Sequence, residues 1–368
     1  MDPNSPILRR FPLVARPRPK AKALTARVDE LRALAERADR ENDLGAASAV
    51  YNQAALIASD CGQPELARQW CRDHADAYLW ALPLGAQVAR LAMEPLVNLA
   101  RLHIRDGDGD AALRLLTDLF QAVSSRTDAL IDGYPLPASR LTRIEGDHRR
   151  VRQWLWSVLV ADGTRALTSA GRWQEAYDHL HRRNGIGQRM LDGRQVAVIS
   201  HATSGDLEAA RSIVSETFCI EPWEQAVTAC LAYLLARTGS EPADEYLSAM
   251  LDRYRRLRPM DGFAVFHTRL GLAIIDAVGG ANQPSVQSLA NDLVNHAVAL
   301  GDAYAAQSVL KNEDLSARFD QQGRDLSAMV SMGGLERGRI PTAAYYQICR
   351  ATAMGKTVIL RLIPKEQA

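Results

Sequence analysis

Three stretches of this chain hold residues whose types and spacing suggest chemistry. Gly355-Lys356-Thr357 matches the end of a phosphate-binding loop. Such a loop needs a glycine at position 350, where Arg350 stands, with a strand before it and a helix after it. Here the order is reversed, because helix-like sequence precedes the motif and strand-like sequence follows. Asp106-Gly-Asp-Gly-Asp110 opens like a calcium-binding loop, but the required sixth-place glycine is Ala111 and the twelfth-place glutamate is Thr117. It reads better as a turn and a helix cap. Cys71 and His74 stand three apart with Asp76 close by, and His179 and His181 stand two apart. Neither set has the paired spacing of a structural zinc site. Metalloprotease, nucleophile-elbow and kinase signatures are missing from the sequence. No catalytic residue, no metal ligand and no cofactor is therefore assigned. The chain is expected to be non-catalytic.

What remains is recognition. Arg149, Arg150 and Arg152 accompany Trp154 and Trp156, with His148 beside them and Arg140 and Arg143 just upstream. On a helix Arg149 and Arg152 share a face, and Trp156 follows one turn later. Arginine forks hold carboxylates or phosphates bidentately, and tryptophan supplies apolar anchoring area. Arg140, Arg143, His148, Arg149, Arg152 and Trp156 are thus the candidate binding set, fitted to an acidic peptide segment. A second cluster, Arg253, Arg255, Arg256 and Arg258, reads as a solvated helix face. Trp70, Trp80, Trp173 and Trp223 read as packing residues.

The elements that must position this set are helices. Gly171, Gly205 and Gly239 are equally spaced, and each opens a similar phrase: Gly171-Arg-Trp-Gln-Glu-Ala176, Gly205-Asp-Leu-Glu-Ala-Ala210 and Gly239-Ser-Glu-Pro-Ala-Asp244. Glycine ends a helix in the left-handed conformation, and Asp206 or Ser240 then caps the next. Echoes occur at Gly62, Gly107 and Asn42. The interval of about 34 residues and the five-residue step from Gly to Ala, which the third copy loses to Asp244, resemble the tetratricopeptide repeat family over 160–255 and more loosely over 24–125. The family's second-helix aromatic is replaced by Leu180, Val214 and Ser248. The resemblance implies an all-α solenoid of antiparallel helical hairpins whose concave groove binds a peptide or partner protein.

Five segments are expected. Residues 1–22 are an extended, basic, proline-rich arm, either a solvated tail or an apolar strap through Ile7, Leu8, Phe11, Leu13 and Val14. Residues 23–123 form N-terminal helical repeats and 124–146 a long loop broken by Gly133 and Pro135. Residues 147–312 form the central repeats, and 313–368 an irregular region ending in a strand over 357–363. That strand is expected to pair with the arm or with another chain.

Bulk charge adds little. Lys+Arg number 44 and Asp+Glu 43, so no basic field points to nucleic acid. Five cysteines without close pairing point to a reducing cytoplasm. No apolar run approaches the roughly 20 residues of a membrane span. Two alternatives stand beside the scaffold: a small-molecule binder or enzyme with its pocket under the 124–146 loop, and a structural subunit of a homo-oligomer joined through its terminal segments.

Overall fold

A computed structural model describes residues 1–3, 5–316 and 321–363. Among these residues the chain is helical almost throughout. In order the elements are α1 (Leu24–Glu41), α2 (Leu44–Asp60), α3 (Pro64–Leu79), α4 (Ala86–Arg105), α5 (Gly109–Ser125), β1 (Ala129–Ile131), β2 (Tyr134–Leu136) and α6 (Glu145–Ser169). There follow α7 (Trp173–His181), α8 (Asp192–Ser204), α9 (Leu207–Ser215), α10 (Pro222–Thr238), α11 (Asp244–Arg255) and α12 (Ala264–Val278). The last are α13 (Gln287–Leu300), α14 (Ala303–Leu310), α15 (Glu313–Ser316), α16 (Gln321–Gly333) and α17 (Thr342–Leu362).

The chain divides into two compact units, each made from two stretches of sequence. The hairpin unit comprises 23–166 and 334–368; the arm unit comprises 1–22 and 167–333. The division falls inside α6.

In the hairpin unit each helix packs on the next in sequence, from α1 through α5. Local sequence explains the corners. Asn42 ends α1 at φ 52°, and Asp43 caps α2 by accepting from the Ala46 N–H at 3.0 Å. Asp108 caps α5 in the same way through Ala111, after Gly107 at φ +83°. The acidic run at 106–110 is therefore the turn and cap expected. Helix α2 buries small residues, Ala46, Ala47, Ala54 and Ala58, which lets its neighbours approach closely.

The expected strand at 357–363 does not form. Those residues belong to α17 and its C-terminal end, and α17 packs on α1 and α2. Ile348, Ala351, Thr352, Gly355, Val358 and Ile359 are its buried positions, a spacing of three and four that defines one helical face. The β-branched run looks like a strand locally, but burial of that face decides the conformation. Gly355 sits where a Cβ would lie 3.2 Å from the Ala47 carbonyl oxygen, so its role is close helix packing, not phosphate binding. Helices α16 and α17 thus fill much of the region expected to be irregular. Its residues 317–320 and 364–368, like Asn4 of the arm, lie outside the described residues.

One buried carboxylate ties this unit together. Asp60, at the end of α2, is shielded from solvent and accepts from Arg27 of α1 at 2.6 Å and from Arg105 of α4 at 2.5 Å. Its backbone carbonyl accepts from the Glu336 N–H at 2.7 Å, anchoring the returning C-terminal segment. His74 is also fully buried, stacked parallel on Tyr51 at 5.0 Å, and neither ring nitrogen has a hydrogen-bond partner.

In the arm unit helices again pack mainly on sequence neighbours. Gly171 and Gly205 take the left-handed conformation expected of them, at φ +71° and +91°, and Asp206 caps α9 through the Ala209 N–H. The third corner differs. Gly239 keeps φ −81°, and Ser240 takes the left-handed place at φ 56°. Ser240 therefore does not cap the next helix, which starts at Asp244. In the glycine-rich elbow, the Gly185 carbonyl oxygen lies where a Cβ on Gly193 would be 2.1 Å away, so only glycine fits at the start of α8.

The arm is the apolar strap. Leu8, Phe11 and Leu13 are buried. Leu13 is held by the fully buried Gln195 side chain, which accepts from the Leu13 N–H and donates to the Leu13 carbonyl, both at 2.7 Å. Its amide also donates to the Met190 carbonyl at 3.1 Å. Arg10 pairs with Asp276 at 2.5 Å, Lys20 with Asp261 at 2.8 Å, and Arg18 lies 4.3 Å over the Tyr304 ring. The arm's partners are α8, α12 and α14 rather than a terminal strand. Most of the apolar residues that suggested subunit pairing, among them Leu8, Phe11, Leu13, Val358 and Ile359, are buried within their own units, while Leu360 is exposed.

Two outcomes are expected. Gln195→Leu strands the buried Leu13 N–H and carbonyl, at about 1–3 kcal/mol for each lost partner. A lower urea midpoint and faster tryptic cleavage after Arg9 and Arg10 will show it. Stability also falls as pH drops below about 6.5. Burial lowers the His74 pKa to about 3 and, with help from His296, the His267 pKa to about 4. The unfolded chain then binds protons that the native state refuses, so unfolding is favoured as pH falls from the ordinary histidine range towards those values. His74→Leu should remove about 1 kcal/mol per pH unit from that slope, read from urea unfolding at about pH 5 and pH 7.

Candidate functional site

The hairpin unit carries two open grooves on the surface around α6 and the β-hairpin. The hairpin replaces the structureless loop expected at 124–146. Ala129 pairs with Leu136 and Ile131 with Tyr134, and Asp132 and Gly133 make the turn at φ 50° and 74°. Ile131, Tyr134 and Leu136 face the core, while Leu130 points outward and is 70% exposed.

Helix α6 distributes the candidate set over different faces. Val151, Leu155, Val158 and Leu159 are its buried positions. Arg149, Arg152 and Trp156 lie together on the opposite, exposed crest, as the spacing predicts. Trp156 is 42% exposed. His148 points inward and is buried. Desolvation first, and then the nearby Arg126, lower its pKa, so the ring is neutral rather than a cationic contact. Arg140 and Arg143 are exposed between the hairpin and α6.

The first groove lies to one side of this crest. Arg150 and Trp154 of α6 face the first turn of α4, where Gly85, Ala86, Gln87 and Val88 form the wall of a cavity of about 470 Å³. Gly85 offers no side-chain cap, and the first turn of the long helix α4, the positive end of its dipole, borders this space. The Arg90 guanidinium lies 5.3 Å from the Trp154 ring, a cation–π contact that orients both. Arg90 reaches Glu94 only at 3.6 Å, and Arg150 holds Asp147 at 2.6 Å while 72% exposed. Asp147 offsets one of the two cations and Glu94, at longer range, partly offsets the other.

The second groove lies between the end of α3 and the hairpin. Asp76, Trp80, Asp128, Leu130, Tyr134 and Pro135 line a cavity of about 800 Å³. Trp80 is expected from sequence to be a packing residue. Trp70 and Trp173 are buried, and Trp223 packs edge-on against Phe266, but Trp80 is 38% exposed. No sequence signal joins Asp76 of α3 to Tyr134 of β2, which the fold brings to 2.6 Å.

The clamp that seats α6 is Asp162. It is buried and accepts from Arg101 of α4 at 2.9 Å and from Arg165 at 2.8 Å. Among the described residues no group of three or more His, Cys, Asp or Glu is placed to hold a metal ion, and no helix is long and apolar enough to cross a membrane. No family model, no curated protein and no solved structure matches the chain.

Asp162→Asn keeps the shape and removes the charge from this clamp. Both arginines are about half exposed, so the cost is that of weakened charge-assisted hydrogen bonds, roughly 1–3 kcal/mol. A urea midpoint equal to wild type would refute this role.

Proposed function

We propose that this chain is a non-catalytic helical-repeat protein, tetratricopeptide-like in build, that binds an acidic segment of a partner protein along α6. The observation that carries the reading is Arg90 stacked on Trp154 beside Arg150, in a groove walled by the uncapped first turn of α4. A carboxylate entering this groove meets two guanidinium forks and the positive end of the α4 dipole at once. Trp154 covers the apolar stem of the same side chain. On the adjacent crest Arg149, Arg152 and Trp156 extend the contact for a longer ligand, with Arg140 and Arg143 beyond them. His148 lies buried on the inner side of the same helix. The regular packing of helices on their sequence neighbours, with glycine or asparagine at several corners, supports the repeat build. Five free cysteines are consistent with work in a reducing cytoplasm as an accessory or regulatory protein.

The test uses two fluorescein-labelled peptides of equal length, one rich in Glu and Asp, the other with Gln and Asn in their places. The acidic peptide should bind saturably, and the amide peptide should not. Arg90→Glu with Arg150→Glu should weaken binding at least tenfold, since charge-assisted hydrogen bonds contribute about 1.5–3 kcal/mol each. Equal binding of the two peptides, or undiminished binding by the double variant, defeats the reading.

A further inference from the structure

The hairpin groove has the opposite chemistry. Its charged residues are carboxylates, Asp76 and Asp128, and among the described residues neither forms an ion pair. Its exposed apolar residues are Trp80 and Leu130, which stand out from the surface although each is large. An isolated exposed side chain needs no explanation, but here an indole, a leucine and two carboxylates surround one cavity.

Each of the polar parts is held in place by its own chain. The Trp80 indole N–H donates to the Ala77 carbonyl at 2.9 Å, which fixes the ring plane. The Tyr134 hydroxyl donates to one oxygen of Asp76 at 2.6 Å and leaves the other oxygen open. The Ser139 N–H donates to Asp128 at 2.9 Å. With the Ser139 hydroxyl it holds the Asp128 carboxyl below the usual range, and Arg140 acts in the same direction from farther off. Asp76 and Trp80 stand one helical turn apart at the end of α3, so they project on the same side. A cation lying on the indole therefore lies beside a carboxylate.

We propose that the hairpin groove is a second docking site, one that accepts an arginine side chain from an extended, apolar segment of a partner protein. Charge complementarity selects a cation. The flat indole and the fixed carboxylate select a planar guanidinium, which stacks on one and forks to the other, over the compact ammonium of lysine. Leu130 and Pro135 offer apolar contact to the residues on either side of the arginine. The two grooves share one unit but no lining residue, so this site stands or falls independently of the acidic-peptide reading.

A synthetic library of random hexapeptides, immobilised on beads, tests it with the full-length chain. Wild type should enrich sequences with arginine, above lysine, flanked by apolar residues. Asp76→Asn, which can still accept from Tyr134, and Trp80→Ala should each reduce binding of an enriched peptide about tenfold. Replacing its arginine by citrulline, planar but uncharged, should do the same. The Arg90→Glu/Arg150→Glu variant should bind that peptide as wild type does. Lack of enrichment for arginine, or enriched binding that survives both Asp76→Asn and Trp80→Ala, overturns the proposal. Loss of binding in the Arg90/Arg150 variant also overturns it, because the peptide would then occupy the other groove.

Discussion

The geometry of the hairpin unit depends on the Asp60 carboxylate. A charge buried without partners is costly enough that it forces its surroundings to supply them. Here the partners come from α1 and α4, and the same residue's carbonyl fixes the segment leading to α17. Three elements far apart in sequence are thereby tied to the end of α2. The stack of small residues along α2 then brings α1, α3 and α17 close around it. Both grooves are built on the outer edges of this assembly, one on α3 and the hairpin, the other on α4 and α6.

Both grooves follow one principle of preorganisation. Trp80, Asp76 and Asp128 are restrained by hydrogen bonds from the chain itself. Trp154 and Arg90 restrain each other, and Asp162 of α6 ties their two helices together through Arg101 of α4. Side chains already ordered lose less entropy when a ligand arrives. One groove carries Arg90 and Arg150, and the other Asp76 and Asp128.

Much of the fold was legible because helix ends are local events. Asn42-Asp43, Pro64, Asp108 and Gly205-Asp206 each place a corner close to where it lies, since a cap bond reaches only to the next helical turn. The strand expected at 357–363 failed because Val358, Ile359 and Leu360 have strand preferences that packing overrides. The contact that overrides them is with α1 and α2, at the far end of the sequence. Gly239 failed as a corner for a smaller reason: the left-handed residue is its neighbour, Ser240. The exposed crest of Arg149, Arg152 and Trp156 follows from helical spacing alone. The grooves do not. Arg90 and Trp154 belong to different helices, and Asp76 and Tyr134 to a helix and a strand, so their meeting is a product of packing that no local pattern encodes.

The interleaving of the two units bears on how the chain matures on the ribosome. Residues 23–166 emerge early, yet α17, which covers the apolar faces of α1 and α2, is made only after the whole of 167–333. At ordinary elongation rates that interval is on the order of 10–30 s. For that time the alanine-rich face of α2 is unsealed on a nascent chain, while the arm, already synthesised, waits for helices that do not yet exist. Such an order of events makes early, sticky intermediates a natural client for chaperones, and makes completion of the last helix the step that closes the hairpin unit.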